Sequence, residues 1–309
     1  SPTKTISKQP HTVITPPSWY TNSTPEYDKN TILGYGEGIS TDNAIDNALG
    51  NITQQLETTV SAYSQIQTNL SSEDGISKDM SEKVSSYSKN IVINDYRLLN
   101  KEQLQNRYYV LIEIDKPQSI THLKKSINDK NIELQSIKQS SSSLNNFKTA
   151  EYMSNELLYL QNAITTLYLL DDTINLQPYL TIYHSYAKKL NSFKENIKIY
   201  VDNTDDGYLL KTFREYLRLK YKLTTDKYGS NIQVAVHNSD FDESGSPRGD
   251  YKISTKVTIQ AQDTYTKIIS KAEYDIQAES SKGRQATIDK ACEIFYAQLT
   301  KSDDIFSQG

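Results

Sequence analysis

The chain has 309 residues, 36% of them hydrophobic, with a single cysteine and a formal net charge of −4, enough apolar material for two domains without crosslinks. Its 34 basic residues are spread along the chain, which excludes the electrostatic footprint of a nucleic-acid binder. A lone Cys292 excludes an internal disulfide, no Cys/His spacing suits structural zinc, and no stretch approaches the roughly 18 apolar residues of a membrane span.

The opening, SPTKTISKQPHTVITPPSW, is polar and Pro-rich and reads as a flexible leader over residues 1–18. It is the expected remnant of a processed N-terminus that carried a signal peptide or a lipid-bearing cysteine. Next comes ILGYGEGIS, with glycines at 34, 36 and 38. This does not match GxGxxG, and no Lys-Ser/Thr follows it, so a phosphate cradle is disfavoured. On a strand, alternate residues share a face, so Gly34, Gly36 and Gly38 form a bare stripe. Close approach of another backbone is a recognised reason for glycine in a strand, and Ala44 and Ala48 are small enough to use it. A helix is predicted from Asp42 to Leu70, with Ile45, Leu49, Ile52, Leu56, Val60, Tyr63 and Ile66 as its stripe. The stretches IVINDYRLLN and NRYYVLIEID read as a hairpin, and Pro117 marks the end of this strand-helix-strand-strand module over 19–117.

From Ser119 the pattern becomes helical. Ile120, Leu123, Ile127, Leu134, Ile137 and Leu144 fit heptad seam positions, with Lys130 and Ser141 as polar exceptions. Met153, Leu157, Leu160, Ile164 and Leu167 give a second seam, and Leu176, Leu180, Tyr183, Ala187 and Leu190 a third. The serine-rich KQSSSSLNN suits a turn, so residues 118–195 read as a coiled-coil-like antiparallel helical region. Residues 196–309 then run strand (IKIYV), helix (Tyr208 to Tyr221), three strands and a closing helix from Gly283 to Leu299. This is an α+β domain with a mainly antiparallel sheet, in which Tyr251, Ile253, Thr255, Val257, Ile259 and Ala261 share a face.

Candidate chemistry is sparse. His11, His122, His184 and His237 lie in separate segments, without HExxH, GxSxG or a Cys-His pair. The loop DFDESGSPRGDY starts like an EF-hand, but Tyr251 stands where a bidentate glutamate is needed. VDNTDDG fails in the same way at Phe213, so both read as turns. No catalytic, cofactor or metal residue is assigned, and no enzyme is expected. Arg248-Gly249-Asp250, the tripeptide read by integrins, falls at a predicted hairpin tip. Gly-Asp is ordinary turn chemistry, so a plain turn is the first reading and a cell-binding loop the second. The 23 tyrosines accompany abundant Asn, Lys, Ile and Ser and reflect compositional background more than a recognition surface.

PSWYTNS followed by ILGYGEGISTDNAIDNALGNITQQL resembles the start of the Lpp-twenty lipoprotein family of Helicobacter, Campylobacter and relatives, at Pro17, Trp19, Gly36, Gly38, Ala44 and Ala48. The resemblance spans about Pro16 to Lys116. It implies a secreted or outer-membrane location in a Gram-negative bacterium, a tether through a removed N-terminal lipid anchor, and action without catalysis through a protein partner or host surface. A structural part of the flagellar apparatus is the alternative, and an envelope enzyme acting on cell-wall polymer a lower one.

Overall fold

The computed structural model describes residues 15–21, 29–57, 92–93, 95–202, 207–302 and 305–306. The chain divides into two compact units. The first is drawn from Ser1–Ile66, Lys89–Ser126 and Ala163–Asn175, the second from Gln67–Ser88, Ile127–Asn162 and Leu176–Gly309.

In the first unit, a single helical turn α1 (Ser18–Thr21) precedes strand β1 (Thr31–Gly38) and helix α2 (Thr41–Glu57). Strands β2 (Arg97–Leu104) and β3 (Arg107–Asp115) complete an antiparallel sheet in the order β1-β3-β2. The period of β1 puts Ile32, Gly34 and Gly36 on the face toward α2. A Cβ on Gly36 would stand 2.0 Å from the Ala44 carbonyl oxygen and 2.4 Å from the Ala48 nitrogen, and one on Gly34 would stand 2.5 Å from the Ala48 oxygen. The helix therefore rests on bare backbone. Its fully buried line is Ala44, Ala48 and Ile52, whereas Ile45 and Leu49 of the expected stripe are only half-buried. Val110, Ile112 and Ile114 of β3 complete this core, each such aliphatic contributing about 1.5–3 kcal/mol.

Closeness has a second effect, at the outer edge of β1. Side chains spaced by four along α2 reach the backbone of alternate residues of β1 and of Ile39 just past its end. Asn43 Oδ1 accepts from the Ile39 N–H (3.3 Å), and Asn47 Nδ2 donates to the Glu37 carbonyl (2.7 Å). Asn51 Oδ1 accepts from the Tyr35 N–H (3.2 Å), and Gln55 Nε2 donates to the Leu33 carbonyl (2.9 Å). Alternate residues of an antiparallel edge strand point both backbone groups outward, and this amide ladder takes the place of the missing neighbour strand.

On the opposite face of the sheet, Tyr20 of α1 sits edge-on to Tyr109 (5.1 Å) and Tyr35 (6.0 Å), and Trp19 Nε1 donates to Glu102 (3.1 Å). The hairpin differs from its sequence reading. Its first strand is the exposed Arg97–Leu104, which takes only the RLLN end of IVINDYRLLN and continues to the turn at Gln105 (φ 55°), while Ile91 and Asn94 lie outside the described residues. Val92 instead donates its N–H to Thr166 Oγ1 (3.1 Å).

The strand-helix-strand-strand module closes with β3 at Asp115, and Pro117 lies in the first turn of the next element, helix α3 (Lys116–Ser136), where the missing N–H costs nothing. The heptad seam does not run on to Leu144: α3 stops at Ser136, and Leu144 belongs to helix α4 (Ser143–Leu170). Lys130, a polar exception in the seam, bridges Glu133 (3.0 Å) on α3 and Glu156 (2.5 Å) on α4, while Ser141 is exposed in the connection. The predicted helix positions beyond Glu57, as well as His11, lie outside the described residues.

The second unit continues with helix α5 (Gln177–Glu195), strand β4 (Lys198–Val201), helix α6 (Tyr208–Arg218), the two-residue strand β5 (Lys222–Leu223), strands β6 (Ile232–Gly245), β7 (Tyr251–Asp263) and β8 (Ile269–Ser280), and helix α7 (Arg284–Lys301). The sheet order is β5-β4-β6-β7-β8. β6, β7 and β8 are antiparallel, and β4 runs parallel to both its neighbours, with α6 in the crossover. Every second residue of β7 from Tyr251 to Asp263 is buried, and α7 packs over β7 and β8.

The buried end of that series is Asp263, which is 0% exposed. One carboxylate oxygen takes the Ser142 hydroxyl (3.1 Å) and the N–H groups of Ser143 (2.5 Å) and Leu144 (3.1 Å). The other takes the N–H groups of Tyr265 (3.0 Å) and Thr266 (2.8 Å). Asp263 thus caps α4 from about 120 residues away and closes the β7–β8 turn. Burial would raise its carboxyl, but the donors from Thr266, Leu144, Ser142 and Tyr265 outweigh burial and hold it below the usual carboxylate value.

Two outcomes test this packing. Gly36→Ala should destabilise the protein by about 1–3 kcal/mol. Gly50→Ala, on the exposed face of α2 where an added Cβ meets nothing within 4 Å, should stabilise it by about 0.5–1 kcal/mol. Urea midpoints of the two variants moving in the same direction would contradict the close approach. For Asp263, a depressed folded pKa means its stabilisation is full above the unfolded value of about 3.9 and fades as pH falls through the folded value. Asp263→Asn should cost about 1–3 kcal/mol at pH 7, with a flatter loss of stability below pH ~4. An unchanged acid transition would refute the assignment.

Candidate functional site

The β6–β7 tip is built by the two longest neighbouring strands and held by a helix start. Residues 240–245, which the sequence suggests as a turn, continue β6 instead. Asp240 (φ 51°) lies in a β-bulge between Ser239 and Asp242, so the carboxylates point along a strand and do not encircle a cation. Among the described residues no group of three or more His, Cys, Asp or Glu side chains is placed to hold a metal ion. The turn proper is closed by the Ser246 N–H to the Asp250 carbonyl (2.8 Å) and the Gly249 N–H to the Ser246 carbonyl (3.0 Å).

Below the turn lies its anchor. Gly283, the residue before α7, has φ +91°, and a Cβ there would fall 2.2 Å from the Pro247 carbonyl oxygen. Both facts require glycine. The Arg284 N–H donates to that same oxygen (3.0 Å), so a free N–H of the helix start binds the tip. The Arg284 guanidinium grips Glu243 with two bonds (3.1 and 2.9 Å), and Tyr251 Oη donates to Glu243 (2.9 Å). Arg284, aided by Tyr251, holds the Glu243 carboxyl below its ordinary range.

On this platform Arg248 and Asp250 are exposed, and neither side chain has a hydrogen-bond or ion-pair partner among the described residues. Two free opposite charges flank a glycine on a fixed turn. The other titratable groups are arranged differently. Glu151 is 4% exposed and is matched by Lys220 Nζ (2.9 Å) and Tyr221 Oη (2.6 Å). His122 pairs with Asp95, His184 lies against Tyr183, and His237 is exposed on β6, so the described histidines do not converge. Gly34, Gly36 and Gly38 line the α2 contact in the first unit, where no space for a phosphate remains. The sequence reading missed the amide ladder of Asn43, Asn47, Asn51 and Gln55, whose signal is four amides at four-residue spacing, and it took Gly283 only as the start of the closing helix.

The fold is α+β, with a charged turn at the β6–β7 tip held by the start of α7. Residues 17–115 match the model of the LPP20 lipoprotein family, and the described part of that span contains α1, the β1-β3-β2 sheet and α2. No curated protein matches the chain. Among solved structures, similarity is found to the secreted protein HP1454 of Helicobacter pylori, at 15% identity, 88% of this chain, 98% of that chain and a TM-score of 0.35. A minor lipoprotein of Acinetobacter baumannii matches at 13% identity over 34% and 94%, with a TM-score of 0.25. A PelC dodecamer of Paraburkholderia phytofirmans matches at 10% over 37% and 88%, with a TM-score of 0.23. All three TM-scores lie below 0.5. No described helix is long and apolar enough to cross a membrane.

If Gly283 fixes the tip, Gly283→Ala should cost about 1–3 kcal/mol and speed hydrogen exchange at the Gly249 and Arg284 amides more than at Ile259 in mid-β7. Equal protection of the tip in variant and parent would show that the anchor does not hold it.

Proposed function

We propose that this is a non-catalytic protein of the bacterial cell envelope, secreted or lipid-tethered, that acts by binding a protein on a host surface through the Arg248-Gly249-Asp250 turn. The family match over residues 17–115 supports the envelope setting. The observation that carries the binding role is the tip itself: two unpartnered, exposed charges on a turn immobilised by Gly283 and Arg284. Preorganisation of this kind lowers the ordering cost of association. Charged side chains kept only for solubility need no such anchoring.

Two measurements separate the parts of this reading. Fractionation of the native cells should place the protein in the outer membrane or the medium, and a purely cytoplasmic pool would remove the envelope assignment. Purified protein on a surface should retain integrin-bearing cells, and Asp250→Glu, which keeps the charge but lengthens its arm, should weaken retention about tenfold or more. Equal retention by the variant would remove the turn as the contact.

A further inference from the structure

A second surface of the same unit is unaccounted for by the tip. Helices α6 and α7 pack side by side, and an open groove of about 610 Å³ runs between them. From α6 it is lined by Tyr208, Lys211, Thr212 and Glu215, at spacings of three, one and three. From α7 it is lined by residues 285, 288, 289, 292, 293, 296 and 297, the three-and-four spacing of one continuous helical stripe. That stripe covers about 18 Å of helix axis at 1.5 Å per residue. Two neighbouring helices therefore offer parallel stripes to a third that is not among the described elements.

The floor is apolar and the rims are charged. Ile288, Tyr208, Cys292 and Tyr296 form the floor, and the Tyr208 hydroxyl is shielded from solvent without a hydrogen-bond partner. Burial, with Glu243 nearby, pushes that hydroxyl up to about 12, so it stays protonated. On the α7 rim Asp289 and Glu293 are exposed and lack a cationic partner among the described residues, Asp289 taking only an amide bond from Gln285 (3.0 Å). On the α6 rim Lys211 is exposed and without an ion-pair partner among the described residues, whereas Glu215 holds Arg218 (2.9 Å). The unmatched charge is thus acidic along one wall and basic at one point of the other.

We infer that this groove docks an amphipathic helix of a partner protein, with an apolar stripe on the Ile288–Cys292–Tyr296 floor and lysine or arginine along the flank that meets Asp289 and Glu293. The straight run of three-and-four spacings on both walls fits a helix better than a compact small molecule. The wall charges set its polarity and orientation. This surface stands independently of the Arg248-Gly249-Asp250 turn, so either can fail without the other.

The single cysteine supplies the readout, because Cys292 is half-buried in the groove. Two synthetic helices of about 16 residues, roughly 24 Å long, would carry the same leucine stripe, with lysines on the flank of one and glutamates on that of the other. Fluorescence anisotropy of each labelled peptide, and the rate of Cys292 modification by a thiol reagent with and without it, would be measured on the full chain. The cationic helix is expected to bind and to slow modification about tenfold at saturation, and the acidic one to do neither. Asp289→Lys with Glu293→Lys, both exposed, should exchange the preference while leaving the melting temperature in place. Equal binding of both peptides, an unprotected Cys292, or an unchanged preference in the double variant would overturn the proposal. Protection of Cys292 that rises with protein concentration alone, alongside a dimer in light scattering, would also overturn it by making a second copy the occupant.

Discussion

The contact on which the first unit depends is backbone against backbone. Gly36 places bare main chain where a methyl group would lie 2.0 Å from the Ala44 oxygen, and Ala44 and Ala48 remove bulk from the other side. Each small residue alone would gain little, because the helix can descend only if both surfaces are small. Once it descends, Asn47 and Asn51 are close enough for short amide side chains to reach β1. The edge of a sheet is a template for unwanted pairing, and here the same approach that builds the core also seals that edge. The positions behind the family resemblance, Pro17, Trp19, Gly36, Gly38, Ala44 and Ala48, have matching physical roles. The glycines and alanines admit α2. The Pro17 carbonyl accepts from the Tyr20 N–H (2.9 Å) in the turn that sets Tyr20 on Tyr109.

The second unit solves a different problem, that of joining helices to a sheet distant in sequence. Asp263 does so with one buried charge and five donors, which is what makes a buried carboxylate tolerable. Aromatic packing does the rest: Phe147 of α4 lies 4.7 Å from Tyr221 and 4.6 Å from Phe306, so the end of the described chain is pinned into the same core. Tyr274 Oη adds a bond to the Ile305 carbonyl (2.9 Å).

What was legible in the sequence followed from periodicity. The alternation of β7 is visible because its whole length is half-buried, and the seams of α4 and α5 because each helix buries one side. Two misreadings share a cause. The strand read over IVINDYRLLN begins only at Arg97 and runs on to Leu104, since an edge strand is placed by its turn and its partner more than by its own hydrophobicity. The turn read at KQSSSSLNN begins between α3 and α4, but its Leu144, counted in the first seam, already belongs to a helix that starts at Ser143 under a cap from Asp263. Local pattern cannot reveal a partner 120 residues away. The same holds at the tip, where Arg248-Gly249-Asp250 was legible as a motif and its anchor at Gly283 was not.

Where charge is satisfied and where it is not bears on function. Asp263, Glu151 and Lys130 are withdrawn from solvent to differing degrees, and all are engaged by partners that neutralise or hydrogen-bond them. At the turn and on the groove rims Arg248, Asp250, Asp289, Glu293 and Lys211 are exposed without an opposite charge among the described residues, as are other surface groups such as Asp46 and Lys188. Recognition asks for what is found here: free charge in fixed positions at the surface, beside apolar area that water leaves readily. The two surfaces differ in chemistry: the turn offers both signs of charge, and the groove carries acidic side chains on one rim and a lysine on the other.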